Sequence, residues 1–132
     1  PETLLRKRAR RLKAENPELV FSPGWRALIP TPGFPAYTSG HSCFGASGGH
    51  MLQLVLGSDK IDIVSGAPDW VNWPSKLSGM KRHYYSIETA IQENGDSREY
   101  GGVHWELDNT EGLRSGRRIA RQIFKTVFRP KV

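Results

Sequence analysis

Closely spaced prolines restrict a long stretch near the start of this 132-residue chain. Five of its nine prolines fall within nineteen positions: Pro17, Pro23, Pro30, Pro32 and Pro35. Because proline fixes its backbone φ angle and has no amide hydrogen to donate, this spacing excludes a regular helix or a central strand. The pattern therefore predicts an extended loop over residues 17–40, anchored by its aromatic and aliphatic side chains.

Apolar residues at helical spacing predict a helix in each of three further stretches. The first helix covers residues 2–15, and the second starts near Gly40 and ends at Gly57. The third covers residues 82–93, and the Asn-Gly-Asp segment 94–96 is predicted to end it. The stretch between the second and third helices, residues 57–80, is predicted to be loop.

The C-terminal segment has the clearest helical pattern. Two adjacent apolar rows run along it: Ile119, Ile123 and Val127, and then Ala120, Phe124 and Phe128. Asp108 is the predicted N-cap, because Glu111 stands three residues later as in a capping box, and Pro130 is the predicted end. The predicted fold class is all-α, a partial helical bundle with long loops rich in proline and glycine.

Length and composition limit the classes of protein to which the chain can belong. A chain of this length forms one domain, which we divide into a basic N-terminal helix, residues 1–16, and a helical domain, residues 17–132. The sequence has no run of 18 apolar residues, so no membrane-spanning helix is predicted, and no signal peptide is visible. Its single cysteine, Cys43, excludes an internal disulfide and a cysteine-based zinc site, and is predicted to be a small buried thiol.

Charge is distributed unevenly along the chain. Residues 1–13 carry a net charge of +5 and residues 112–132 a net charge of +7, although the whole chain has only +6. The central part is therefore acidic and both ends are basic. Basic ends attract polyanions or acidic partner surfaces, although a solvated helix face explains the same pattern.

The triplet Ser39-Gly40-His41 stands where the second helix is predicted to begin. The first amides of a helix have no acceptor within the helix, and together with the helix dipole they favour an anion. The Ser39 hydroxyl can donate one more hydrogen bond, and His41 can transfer a proton to or from a bound oxygen. A capped helix start with a nearby histidine explains the triplet equally well.

A second group of polar residues consists of Arg98, His104 and Asp108. Arg98 offers a planar pair of donors that matches two oxygens of an anion. On a helical stretch His104 and Asp108 share a face, so the carboxylate can hold one ring nitrogen and leave the other available. Taken singly, Asp108 is also a helix cap, Arg98 the partner of an acid and His104 a buried histidine.

Together the two groups resemble two signature motifs of the vanadium-dependent haloperoxidase and type-2 phosphatidic acid phosphatase superfamily. The family patterns are Pro-Ser-Gly-His and Ser-Arg-x5-His-x3-Asp. This chain has Thr-Ser-Gly-His at residues 38–41, and the second pattern runs without departure from Ser97 to Asp108. The neighbouring residues 34–37 and 100–105 resemble soluble haloperoxidases. The resemblance covers about residues 25–125 and implies the helical bundle of that family.

The resemblance implies a role for each motif residue. His104 would bind the vanadium of vanadate, or attack phosphorus in a phosphatase. The oxyanion oxygens would be held by three groups: Ser39, the Gly40 amide and Arg98. His41 would be the acid–base residue and Asp108 would orient His104. Phe34 matches a halide-side position that is Phe in chloroperoxidases.

The family's first motif, Lys-x6-Arg-Pro, does not occur in these 132 residues. The resemblance therefore implies that another chain or a further segment, in a homo- or hetero-oligomer or in a longer polypeptide, supplies the lysine and second arginine. Three functions follow from these observations. The first is a vanadate-dependent haloperoxidase that oxidises halide with hydrogen peroxide. The alternatives are a non-catalytic subunit of a larger complex and an acid phosphatase with phosphate in place of vanadate and a phosphohistidine intermediate.

Overall fold

The computed structural model describes residues 4–18, 24–66 and 80–127. Its elements, in chain order, are helix α1 (Leu4–Glu15), helix α2 (Gly40–Leu56), strand β1 (Lys60–Gly66), strand β2 (Lys81–Ser86), helix α3 (Ile87–Tyr100) and helix α4 (Glu106–Thr126). Helices α2, α3 and α4 pack against one another, with α2 and α4 in the most extensive contact. The predicted partial helical bundle is therefore confirmed, and a two-stranded antiparallel sheet is added to it.

Glycines bring the backbones of α2 and α4 close together. A Cβ atom at Gly116 would meet the carbonyl oxygen of Cys43 and would lie 2.8 Å from the Cβ of Ala46. A Cβ at Gly112 would lie 2.7 Å from the carbonyl oxygen of Ser39. Only glycine leaves room for this approach, so these two positions set the distance between the helices.

The apolar core lies where α2, α3 and α4 meet. It consists of Ala46, Ile87, Ile91 and Leu113, each at most 5% exposed, with Ile61 of β1 packed against them. A Cβ at Gly49 would meet the side chain of Ile91, so α3 also packs closely against α2. This small core joins the three helices to one another.

Strands β1 and β2 pair in antiparallel register, with Ile63 opposite Tyr84 and Val64 opposite His83. The prediction of loop for residues 57–80 was therefore wrong where β1 lies; residues 67–79 lie outside the described residues. The predicted start of the third helix at residue 82 was also wrong, because β2 occupies 81–86. Branched and aromatic residues favour a pleated strand, and that preference outweighs the helical spacing of Tyr84 with the residues after it.

Helices α3 and α4 have different boundaries from those predicted. Helix α3 starts after Ser86, whose Oγ accepts a hydrogen bond from the Thr89 amide at 3.1 Å. It continues through residues 94–96, so the predicted break there was wrong. The N-cap of α4 is Trp105, three residues before the predicted cap, and Asp108 lies in the first turn of the helix.

Other predicted boundaries agree with the structure. Gly57 caps α2 in the left-handed conformation, with φ of 61°, and the described part of the proline-rich loop, residues 24–39, contains neither helix nor strand. The predicted end of the last helix at Pro130 lies outside the described residues. Of the helices described, none has both the length and the apolarity to cross a membrane. The domain division after residue 16 stays a prediction.

Candidate functional site

Ser39 caps the N-terminus of α2. Its Oγ accepts a hydrogen bond from the Ser42 amide at 3.3 Å, and its carbonyl oxygen accepts one from the Cys43 amide at 3.0 Å. A Cβ atom built on Gly40 would meet no described atom within 4 Å. Gly40, the first residue of α2, therefore stands beside open space, with the positive end of the helix dipole behind it.

A single backbone hydrogen bond joins the two sequence motifs. The Ser39 amide donates to the carbonyl oxygen of Asp108 at 3.0 Å. Because Asp108 lies in the first turn of α4, the N-termini of α2 and α4 are held side by side. The residues of both motifs consequently lie at one end of the bundle.

A tight turn after α3 holds Arg98 and His104 together. The carbonyl oxygen of Arg98 accepts hydrogen bonds from the Val103 amide at 3.1 Å and the His104 amide at 3.3 Å. Gly102 adopts φ of 75° within this turn, and a Cβ there would lie 2.9 Å from the ring of Trp25. Glycine at this position therefore permits both the left-handed backbone and the close packing of the preceding loop.

His104 and Asp108 form a buried pair. The His104 Nδ1 atom lies 3.4 Å from Asp108 Oδ2, and the two side chains are only 2% and 6% exposed. The same carboxylate oxygen accepts the Trp105 amide at 3.0 Å, so Asp108 also caps α4. Asp108 thus faces one ring nitrogen of His104, which leaves Nε2 as the nitrogen available for other chemistry.

His41 lies within electrostatic range of both Arg98 and His104. Partial burial lowers the pKa of His41, and the charges of Arg98 and then His104 lower it further. The two motifs therefore bring an arginine and two histidines into one neighbourhood. A histidine with a lowered pKa is neutral at neutral pH, and its ring can then accept a proton.

The Arg98 guanidinium has an unsatisfied donor. Its Nε atom is buried and has no hydrogen-bond acceptor among the described residues. A buried donor without a partner costs stability, and an anion beside it would supply the missing acceptor. The orphaned Nε, the open space beside Gly40 and the nearby histidines together fit an oxyanion.

Two further residues singled out by the sequence are Phe34 and Cys43. Phe34, the predicted halide-side residue, lies in the loop before α2, where its side chain is 63% exposed. Cys43 is a free thiol in α2 and is only partly buried, rather than buried as predicted. Within the described ranges, no group of three or more His, Cys, Asp or Glu side chains is placed to hold a metal ion.

Sequence reasoning missed three residues that lie directly behind the site. Ser42 and Asn109 are buried polar residues, and Gly95 of α3 lies against both of them. Each is adjacent to or near a motif residue, but nothing in its type or spacing separates it from an ordinary helix residue. Their importance follows from contacts between distant parts of the chain.

The packed helices define a helical-bundle domain, and a family model described as the VCPO second helical-bundle domain matches residues 7–130. The chain therefore belongs to the vanadium haloperoxidase superfamily, as the two motifs predicted. None of the curated proteins compared with the chain by sequence matches it.

Solved structures give the same result for the fold. A bacterial vanadium-dependent iodoperoxidase matches with a TM-score of 0.64 and 27% identity over 88% of this chain and 26% of that chain. The holo form of a bacterial vanadium-dependent chloroperoxidase matches with a TM-score of 0.65 and 19% identity, over 77% of this chain and 23% of that chain. The chain thus spans about a quarter of the length of these haloperoxidases.

Proposed function

We propose that this domain contributes to a vanadate-dependent haloperoxidase, which oxidises halide with hydrogen peroxide. The observation that carries the proposal is the buried Arg98 Nε donor without an acceptor among the described residues, at the end of the bundle that also holds the buried His104–Asp108 pair. The membership of the haloperoxidase superfamily supports the choice of vanadate over other tetrahedral anions.

Each residue of the cluster has a chemical part in this proposal. His104 would hold vanadium through Nε2, because Asp108 faces its Nδ1 atom. Arg98 and the Gly40 amide would donate hydrogen bonds to oxygens of the anion, and Ser39 would add a hydroxyl donor. His41, neutral at neutral pH, would accept or return a proton at an oxygen of the bound group. When bound, vanadate supplies Lewis-acid activation of peroxide toward halide.

A further segment is needed to balance the charge of the anion. The family pattern places a lysine and a second arginine on the oxyanion, and the sequence lacks that motif. Two missing charge-assisted contacts, each worth about 1.5–3 kcal/mol, weaken anion binding by about 100-fold or more. We therefore propose that another helical segment, on this polypeptide or on a second chain, completes the site.

Apolar side chains exposed around the motifs support the presence of such a segment. Leu28 in the preceding loop is 83% exposed, Phe44 in the first turns of α2 is 81% exposed, and Trp25 is 64% exposed. Large apolar groups left exposed beside a site are typical of a surface that another element covers. The covering segment would exclude water and add its cations to Arg98.

The first test is the binding of orthovanadate to the chain, followed by vanadium NMR. We expect weak binding that is lost in His104→Ala, because the ring nitrogen that would hold vanadium is removed. His83→Ala is the matched control, since His83 lies on the exposed hairpin. Equal binding by the chain and by His104→Ala would overturn the assignment of the site.

A second arm of the same test separates the two chemistries of this superfamily. A haloperoxidase oxidises a phenolic dye only when vanadate, peroxide and halide are all present. A phosphatase releases phosphate from an ester without them, through a phosphohistidine at His104. Ester hydrolysis that depends on His104, with no halide-dependent oxidation, would favour the phosphatase over the haloperoxidase.

A further inference from the structure

Three buried polar side chains form a chain of contacts behind the α2 N-terminus. Ser39 and Ser42 are fully buried and Asn109 is 3% exposed. The Ser42 Oγ atom lies 2.8 Å from Ser39 Oγ and 2.7 Å from Asn109 Oδ1. We call Ser39, Ser42 and Asn109 the hydroxyl relay.

The orientation of the Asn109 amide is fixed by two carboxylates. Its Nδ2 atom donates to Asp96 Oδ1 and to Glu99 Oε1, both at 2.8 Å. Ionised carboxylates only accept hydrogen bonds, so the amide nitrogen must face them and the amide oxygen must face Ser42. Asn109 therefore presents an acceptor, and not a donor, to the Ser42 hydroxyl.

The Ser42 hydroxyl has one proton and two acceptors within reach. If Ser42 donates its proton to Asn109, the hydrogen bond between the two serine oxygens needs the proton of Ser39. The Ser39 hydroxyl then donates to Ser42 and has no proton left for a bound anion. If the Ser42 proton goes to Ser39 instead, the proton of Ser39 is free for a bound anion. In that second arrangement Asn109 Oδ1 loses its donor, and a buried acceptor without a donor costs free energy.

Close packing leaves the relay no third arrangement. A Cβ atom at Gly95 would meet Asn109 Oδ1 and would lie 3.2 Å from Ser42 Oγ. A Cβ at Gly112 would lie 2.8 Å from the Cβ of Ser42. With the backbones of α3 and α4 against them, the two side chains have little room to rotate away or to admit water.

We propose that Ser42 and Asn109 are positioning residues that set the direction of the Ser39 hydroxyl. This inference rests on the proposed function, because it concerns the same anion site. Without an anion, Ser39 donates to Ser42 and Ser42 donates to Asn109. Before Ser39 can donate to an anion, Ser42 must turn its proton from Asn109 to Ser39. The relay thus weakens anion binding while it stabilises the fold.

The test measures the dissociation constant for orthovanadate in the chain and in two variants, Ser42→Ala and Asn109→Ala. Either change removes the competition for the Ser39 proton, so each should tighten binding by about fivefold, within the cost of an unsatisfied buried acceptor. The double variant should bind no more tightly than the single ones, because both act on one proton. Thermal unfolding should show that each variant is less stable than the unsubstituted chain.

In the relay, each variant binds orthovanadate more tightly but is less stable. A merely structural contact would instead weaken both binding and stability when it is removed. Ser47→Ala is the matched control. It removes a hydroxyl from the same helix, but that hydroxyl donates to the Phe44 carbonyl and lies outside the relay. We expect its dissociation constant to equal that of the unsubstituted chain. If Ser42→Ala does not fold, Asn109→Ala decides the question.

Three outcomes overturn the relay, and they differ in what they say about the proposed function. If binding depends on His104 but is unchanged or weakened in both relay variants, the relay is wrong and the proposed anion site stands. If each variant tightens binding and the double variant is tighter by the product of both effects, the two residues act independently and the relay is also wrong. If the unsubstituted chain binds no orthovanadate, the relay and the proposed function fail together.

Discussion

The end of the bundle that carries the motifs differs from the β1–β2 hairpin in where its polar contacts lie. At the motif end, the contacts of Ser39, Ser42 and Asn109 are buried beneath close helix packing. On the hairpin, Arg82 forms an ion pair at 2.5 Å with Glu93 of α3, but the two side chains are 62% and 35% exposed. Similar hydrogen bonds thus occur in two environments, of which only the first leaves an unsatisfied group when a partner is removed.

Asp59 shares a feature with each of these two regions: it is exposed, like the hairpin ion pair, but it accepts several hydrogen bonds from different elements, as the motif end does. Its carboxylate accepts hydrogen bonds from the Ser86 hydroxyl at 2.6 Å, the Gln53 amide group at 2.7 Å and the Glu88 backbone amide at 2.8 Å. It thereby ties α2 to the start of α3 at the point where the hairpin ends. The comparison therefore predicts losses of stability that decrease in order: substitution at the contact between α2 and α4, then at Asp59, then on the hairpin.

The largest effect is expected from Gly116→Ala. A Cβ there would collide with the Cys43 carbonyl, so we expect a loss of about 2 kcal/mol in the free energy of unfolding, measured by urea denaturation. Gly48→Ala is the control, because a Cβ at Gly48 of α2 would meet no described atom within 4 Å. Alanine is the better helix former, so Gly48→Ala should stabilise the chain by up to about 1 kcal/mol. A gain in stability in both variants would contradict the close approach of α2 and α4.

A smaller, pH-dependent effect is expected from Asp59→Asn. The hydrogen bond from Ser86, followed by those from Gln53 and Glu88, lowers the pKa of Asp59 from 3.8. Because the folded state holds the proton less tightly than the unfolded state, this stabilisation is complete above pH 3.8 and is lost as the pH falls through the lowered pKa. Asp59→Asn should therefore unfold at lower urea concentration at pH 7, and its stability should fall less below pH 4.

Asp62→Asn is the matched control for Asp59→Asn. It removes the same charge from a hairpin carboxylate that is 78% exposed and contacts His83. We expect a smaller change in the urea midpoint at pH 7 than in Asp59→Asn. Equal midpoints in the two variants would mean that the three hydrogen bonds to Asp59 add nothing to stability.

The smallest effect is expected from Arg82→Gln on the hairpin. The variant removes the ion pair with Glu93, but both side chains reach solvent and water replaces the lost contacts. We expect a urea midpoint indistinguishable from that of the unsubstituted chain in 0.15 M salt, where exposed charges are screened on the order of 8 Å. A loss as large as that in Asp59→Asn would show that exposure does not separate the two regions.

The sequence was sufficient for the features that depend on local chemistry. Closely spaced prolines predicted the irregular loop, Gly57 predicted the end of α2, and two motifs predicted the superfamily. Each of these signals is contained in a short stretch of chain, so no knowledge of distant contacts was needed.

The features that escaped prediction depend on contacts between distant residues. The sequence predicts a helix break at Gly95, but Gly95 lies inside α3, where Asn109 and Ser42 approach its backbone. Local spacing predicts helix where strand β2 lies, because the pairing of β2 with β1 is not visible in local spacing. The relay was missed for the same reason, since Ser42 and Asn109 stand 67 positions apart in the sequence.

The backbone bond from the Ser39 amide to the Asp108 carbonyl has a consequence for substitution in this domain. Since it uses no side-chain atom, nineteen of the twenty amino acids at position 39 retain the donor, and proline alone removes it. Because Ser39 is fully buried, however, only a side chain close to serine in size keeps the packing around this backbone bond. An engineer who wishes to exchange the serine hydroxyl for a thiol can therefore use cysteine, which is close to serine in size and retains the backbone donor that aligns the two helix ends.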